Sequence, residues 1–350
     1  MAADDEVICE KRGAAGLITL NRPQALNALT LGMVRAMRKA LDSWTADPSV
    51  TRVVVTGAGD KAFCAGGDIR RLHDLGKAGE TEEALAFWRE EYQLNALIHR
   101  YPKPYVALAD GIVMGGGFGI SVHAPYRVGG PRYLFAMPEV GIGFFPDVGG
   151  IYALPRLPGR TGTYLALTGD RIRLADAAYL GLVTHPVPSE AIEAIRLALV
   201  EGAPVGETLS VHAMDAGPAP LADHRDVIDA CFSADSVQGV LDRLDQAATE
   251  GSGFAAKAAA TMRTKSPTSM SIALEQMRRG GALDFDEAMR TDFRVVSRIA
   301  RGHDFYEGVR AVIIDKDNAP SWKPATLGEV DPQAIAHHFS SLESDELKIA

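Results

Sequence analysis

Cysteine is scarce in this sequence: Cys9, Cys64 and Cys231 stand far apart, with no Cys-x-x-Cys pair. That pattern excludes a disulfide framework and a cysteine-based zinc site. His99, His185 and His303 are scattered and give no metal-ligand spacing. A basic excess is missing too, since the formal net charge is −9, whereas a nucleic-acid binder shows a basic face. No apolar run reaches the ~20 residues of a membrane span. The acidic start, Met1-Ala2-Ala3-Asp4-Asp5-Glu6, carries no signal-peptide core. These absences predict a soluble, cytoplasmic protein in a reducing environment, with neither nucleic acid nor membrane as a partner. Internal repeats, low-complexity tracts, a phosphate-binding loop closed by Lys-Ser or Lys-Thr, and a serine nucleophile elbow are all lacking.

What is present is an ordinary globular composition, 47% apolar and 23% charged over 350 residues. Val7–Cys9 and Gly16–Leu20 flank the turn-prone Arg12-Gly13 and predict a hairpin. Thr30 is placed to cap a helix whose Met33, Val34, Met37, Leu41 and Trp44 recur at helical spacing until Asp47-Pro48. Arg52–Gly57 and Tyr105–Leu108 read as buried strands, separated by an amphipathic helix over Glu82–Ile98. Tyr126–Gly129 and Arg132–Phe135 read as further short strands. This alternation implies parallel crossovers and an α/β core. From Thr161 onward the pattern is mainly helical, with Glu201–Pro220, rich in Gly, Ala and Pro, expected as a loop or linker. The predicted division is a core over 1–187 and a helical C-terminal region over 188–350.

In parallel α/β folds ligands bind at the carboxyl ends of strands. Gly66-Gly67 and Gly115-Gly116-Gly117 both fall between a predicted strand and a predicted helix, where backbone N–H groups can face an oxyanion. Glu139 and Asp147 sit in an apolar, glycine-rich stretch that can raise a carboxyl pKa and suit acid–base or nucleophilic work. Gly115–Gly119 lacks the spacing and ribose-binding acid of a dinucleotide fingerprint. Cys64 reads as a small buried residue, His123 as a packed one, and Glu90-Glu91 as a solvated helix face.

Leu20-Asn21-Arg22-Pro23-Gln24-Ala25-Leu26-Asn27-Ala28, Phe63-Cys64-Ala65-Gly66-Gly67-Asp68-Ile69 and Asp110-Gly111-Ile112-Val113-Met114-Gly115-Gly116-Gly117 together resemble the enoyl-CoA hydratase/isomerase (crotonase) superfamily. The resemblance implies a spiral of ββα units, an acyl-CoA thioester substrate, and an oxyanion hole from the N–H groups of Gly67 and Gly116. A hydratase of this family pairs two glutamates; the first would stand where this chain has Gly119, and the second matches Glu139. A dienoyl-CoA isomerase would want an aspartate at Gly119 as well.

The chain is more similar to the 3-hydroxyisobutyryl-CoA hydrolases of valine catabolism. The marks are Phe87-Trp88-Arg89-Glu90-Glu91-Tyr92, Phe135-Ala136-Met137-Pro138-Glu139 and Gly143-Phe144-Phe145-Pro146-Asp147-Val148-Gly149-Gly150, with Arg301–Val312 and Trp322-Lys323-Pro324 in the tail. That likeness implies thioester hydrolysis, with Glu139 as nucleophile or general base and Asp147 at the substrate hydroxyl. It makes Glu91, Gly116, Glu139 and Asp147 the substrate-contacting set. No metal or other cofactor is implied, CoA being part of the substrate. Members often form trimer-based assemblies, so a homo-oligomer is compatible. An enoyl-CoA hydratase or isomerase, and a non-catalytic acyl-CoA-binding subunit, stand as alternatives.

Overall fold

The computed structural model describes residues 6–349. The chain folds into two compact units, each assembled from three separate stretches. Residues up to 68, 90–135 and 171–220 make the first unit; 69–89, 136–170 and 221 onward make the second. Every element after residue 186 is helical, and that helical part divides between the units at 220.

The first unit is built on a six-stranded sheet. Its strands are β1 (Val7–Arg12), β2 (Ala15–Leu20), β3 (Arg52–Gly57), β5 (Tyr105–Ala109), β7 (Tyr126–Gly129) and β10 (His185–Pro186), in that spatial order. β1 and β2 form the expected antiparallel hairpin around Gly13, and the remaining pairings are parallel. Between β2 and β3 runs the helix Leu31–Ala46, capped by Thr30, whose side chain accepts from the Met33 N–H. One sheet face presents Leu17, Val54, Val106, Leu108 and Val128 to Ile195, Leu199 and Leu209 of the helices Ala191–Val200 and Val205–Val211. Alternating residues of buried strands thus form a core on this face.

A second sheet comprises β4 (Ala62–Cys64), β6 (Ile112–Met114), β8 (Leu134–Ala136) and β9 (Ile172–Arg173). These strands of two or three residues are too short to show an alternation pattern, and β4, β6 and β9 escape sequence reading for that reason. The strand expected over Arg132–Phe135 begins at Leu134, because the Arg132 N–H is taken by the Asp110 carboxylate at 2.9 Å. The expected loop over Glu201–Pro220 contains the helix Val205–Val211, held by burial of Val205 and Leu209. Tertiary packing overrides its Gly- and Pro-rich surroundings.

The Asn21–Ala28 motif braces the loop that leads out of β4. Asn27 is fully buried and lies in the left-handed region at φ 57°. Its amide nitrogen donates to the carbonyls of Ala58 and Ala62, both at 2.9 Å, and its amide oxygen accepts from the Arg22 N–H at 2.9 Å. The Arg22 guanidinium in turn bonds Ala28 O at 2.6 Å and the Asp68 carboxylate at 2.9 Å. Replacing Asn27 with alanine strands buried partners and puts a Cβ residue without local compensation at positive φ. The expected cost is about 2–4 kcal/mol. It is read as a lowered denaturant midpoint at constant m-value; an unchanged midpoint would show that the brace is dispensable.

Candidate functional site

In the first unit the two glycine loops are packed backbone against backbone. β4 ends at Cys64 and its loop passes through Gly66, at φ +119°, before the helix Ile69–Lys77. β6 ends at Met114, and Gly115, at φ 46°, turns the chain into the short helix Gly116–Gly119. A Cβ on Gly117 would run into the Cys64 carbonyl. A Cβ on Gly116 would lie 2.5 Å from Glu91 Oε1 and 3.3 Å from the Gly66 carbonyl carbon. Only residues without a side chain let the loops approach this closely.

The loop geometry fixes the direction of the amides. The Leu29 N–H donates to Gly66 O, and the Asp68 N–H donates to Leu29 O, each at 2.8 Å, making a parallel bridge between Leu29 and Gly67. In such a bridge the N–H of the central residue points away from the partner strand. The Gly67 N–H is therefore turned off the Leu29 side. Gly116 opens its helix, and the first-turn N–H groups of a helix have no intrahelical acceptor. Glu91 is 2% exposed, whereas its neighbour Glu90 pairs with Arg35 at 2.6 Å on the surface. The solvated face read for Glu90-Glu91 therefore holds for Glu90 alone, because successive helical residues point about 100° apart. Cys64 is fully buried as expected, and burial pushes its thiol up to about 12, so it is no ready nucleophile.

The second unit holds the other two carboxylates. Glu139 begins a single 3₁₀ turn, Glu139–Ile142, after Pro138, and is 6% exposed. Five residues on, the Phe144 N–H returns to Glu139 O at 3.0 Å. Phe144 stacks on Trp88 at 5.6 Å and contacts Phe305 at 5.5 Å. This aromatic anchor fixes the stretch between the two acids. Burial, and then the Asp147 charge, push the Glu139 carboxyl well above the ordinary range. Its Oε2 is buried without a hydrogen-bond partner. Asp147 is 5% exposed.

A further buried carboxylate was not singled out by the sequence. Asp292, on the helix Phe285–Ile299, is 0% exposed and accepts from the Gly149 N–H at 2.9 Å. Nothing in its local helix pattern marks it, because its partner lies 143 residues earlier. Among the described residues no group of three or more His, Cys, Asp or Glu is arranged to hold a metal ion. Among them also, no helix is long and apolar enough to cross a membrane.

A family profile described as enoyl-CoA hydratase/isomerase matches residues 15–339. The chain belongs to that family. The protein described as mitochondrial 3-hydroxyisobutyryl-CoA hydrolase in Danio rerio is 47% identical, over 99% of this chain and 92% of that one. Its counterpart in Homo sapiens is 45% identical, over 99% and 91%. Among solved structures, a carnitinyl-CoA dehydratase from Mycobacterium thermoresistibile superposes with a TM-score of 0.93 at 41% identity, covering 98% of each chain. An enoyl-CoA hydratase from Rhodobacter sphaeroides gives 0.92 at 38%, covering 98% of this chain and 100% of that one. The family match and these neighbours bear out the expected α/β crotonase fold.

Because the folded Glu139 keeps its proton to higher pH than the unfolded residue, its stabilising share is complete below the unfolded value of ~4.3. That share is lost as pH rises toward the folded value. Glu139→Gln removes this titration. Its melting temperature relative to the native protein is expected to rise progressively as pH is raised above about 5. Thermal unfolding across that range checks it, and a difference that stays flat or falls would contradict the raised carboxyl.

Proposed function

We propose that the chain hydrolyses a short, branched 3-hydroxyacyl-CoA thioester, in the first instance 3-hydroxyisobutyryl-CoA, to the free 3-hydroxy acid and CoA. The observation that carries this reading is Glu139, a buried carboxylate with an unpartnered oxygen and a raised pKa, combined with the absence of any side chain at Gly119. Addition of water across a double bond by two glutamates loses one of them at that position. Attack on a thioester carbonyl needs one. The relatives described as 3-hydroxyisobutyryl-CoA hydrolase, aligned over nearly the whole chain, support the same choice.

In this mechanism the N–H groups of Gly67 and Gly116 hold the thioester oxygen and stabilise its developing negative charge. Ionised Glu139 attacks the carbonyl carbon and CoA leaves as the thiolate. Water then cleaves the resulting anhydride, returning the carboxylate and releasing the acid. Alternatively Glu139 takes a proton from the attacking water; a raised pKa favours that proton acceptance. Asp147 binds the 3-hydroxyl, and Glu91, beside Gly116, completes the substrate-contacting set. The oxyanion amides supply the electrophilic assistance, so no metal or other cofactor enters, and the acyl-CoA is the partner. Homo-oligomer formation is compatible with this chemistry. None of the three cysteines is joined in a disulfide among the described residues, which fits the reducing cytoplasm.

A second reading, an enoyl-CoA hydratase, has in its favour the descriptions of the structural neighbours. It would have to work with Glu139 alone. Glu139→Gln is expected to lower kcat for thioester hydrolysis by about 10²–10⁴-fold while leaving KM within a few-fold. Near-native turnover by that variant would overturn the assignment. Single turnover in heavy-oxygen water, with chemical trapping of any acyl-enzyme, separates the two roles: label in the Glu139 side chain or a trapped acyl–Glu139 adduct marks the nucleophile, and label in the product with neither of these marks the base.

A further inference from the structure

The turn that carries Asp147 is held in a conformation it would not adopt by itself. Val148 sits in the left-handed region at φ 49° and Gly149 follows at φ 84°. For a β-branched residue this is a strained backbone, and such strain persists only where the surroundings fix it. The Gly150 N–H closes the turn on Asp147 O at 2.7 Å. Two buried side chains from separate helices grip its ends. Asp292 Oδ2 accepts from the Gly149 N–H at 2.9 Å, and Gln276 Nε2 donates to Pro146 O at 3.1 Å. Gln276 Nε2 also bonds Asp292 Oδ1 at 3.2 Å, which joins the two grips. Gln276 and Asp292 are both 0% exposed.

We propose that Asp292, braced by Gln276, is a positioning residue for the reaction: it clamps the Pro146–Gly149 turn and so sets where the Asp147 carboxylate points. The kinetic part rests on the hydrolase reading; the clamp itself does not. Burial drives the Asp292 carboxyl well above its ordinary range, opposed by the Gly149 N–H and reinforced by the charge of Asp147. A neutral Asp292 still offers Gly149 an acceptor and spares Asp147 a like charge. An asparagine there keeps the neutrality and the Gly149 acceptor; its NH2 then faces Gln276, whose buried Oε1 can accept from it once that amide turns over, at the cost of the Gln276–Pro146 bond.

The full-length protein tests this through Asp292→Asn, Asp292→Ala and Gln276→Met. Each is assayed for kcat and KM by thiol release from 3-hydroxyisobutyryl-CoA, and for hydrogen exchange of peptides spanning residues 143–150. Alanine is expected to lower kcat by about 10²-fold, the cost of a misplaced group, with KM within about 3-fold and with faster exchange of that segment. Asparagine is expected to keep kcat within about 3-fold of native and to keep the protection. Native kcat and native exchange in the alanine variant would overturn the proposal, as would an asparagine variant as impaired as alanine. Should alanine not fold, Gln276→Met reads the same clamp: faster exchange with a fall in kcat supports it, and neither change sinks it. If the native protein releases no thiol, the hydrolase reading fails, while the exchange data still decide whether Asp292 holds the turn.

Discussion

The contact that most constrains the first unit is one between two stretches of bare backbone. The Cys64–Gly67 loop and the Gly115–Gly117 loop approach so closely that a single methyl on Gly117 would strike the Cys64 carbonyl. Everything around them serves that approach. β4 and β6 pair in parallel and deliver both loops to the same end. Asn27 and Arg22 tie the preceding segment to Ala58 just beyond β3, to β4 and to Asp68. The Leu29–Gly67 bridge then sets the direction of the Gly67 amide. Glycine at these positions is a requirement of packing.

In the second unit the constraint is burial of charge. Two carboxyl groups, Glu139 and Asp292, are forced upward in pKa by loss of water, each with the Asp147 charge adding to it. Such an arrangement is costly for stability, and perturbed carboxyls of this kind gather at functional sites. The rigidity that keeps them there comes from apolar surface: Trp88, Phe144, Phe145 and Phe305 are all essentially inaccessible. Ser266 adds a polar tie, its N–H meeting Val140 O at 3.2 Å and its hydroxyl meeting Asp304 at 2.7 Å. The acids are thus held by the packing of the side chains around them.

Much of this was legible in the sequence where the signal is local. The Thr30 cap, the apolar run of Arg52–Gly57 and the glycine clusters between strand and helix each state their structure within a few residues. The burial of Glu139 and Asp147 followed from the apolar stretch around them. What local patterns could not carry was anything decided at a distance. Glu91 and Glu90 are identical residues on one helix, and only tertiary packing buries the first and leaves the second to Arg35. Asp292 meets Gly149 across most of the second half of the chain, and no periodicity announces it. The helix Val205–Val211 forms because two apolar residues find a core, against the composition around it. Residue patterns alone put Glu91 on a solvated face; the family resemblance set it apart from Glu90, and the structure buries it beside Gly116.

Reaction choice in this fold rests on few atoms, since one family accommodates hydration, isomerisation and hydrolysis. A glycine at 119 and a buried glutamate at 139 favour attack on a carbonyl over addition to a double bond. The most direct measurement is a side-by-side assay of the purified native protein on 3-hydroxyisobutyryl-CoA and crotonyl-CoA, tracking free thiol and loss of enoyl absorbance together. The account predicts catalytic thiol release from the hydroxyacyl ester and negligible hydration of crotonyl-CoA. Rapid hydration of crotonyl-CoA with no thiol release from either ester would contradict it.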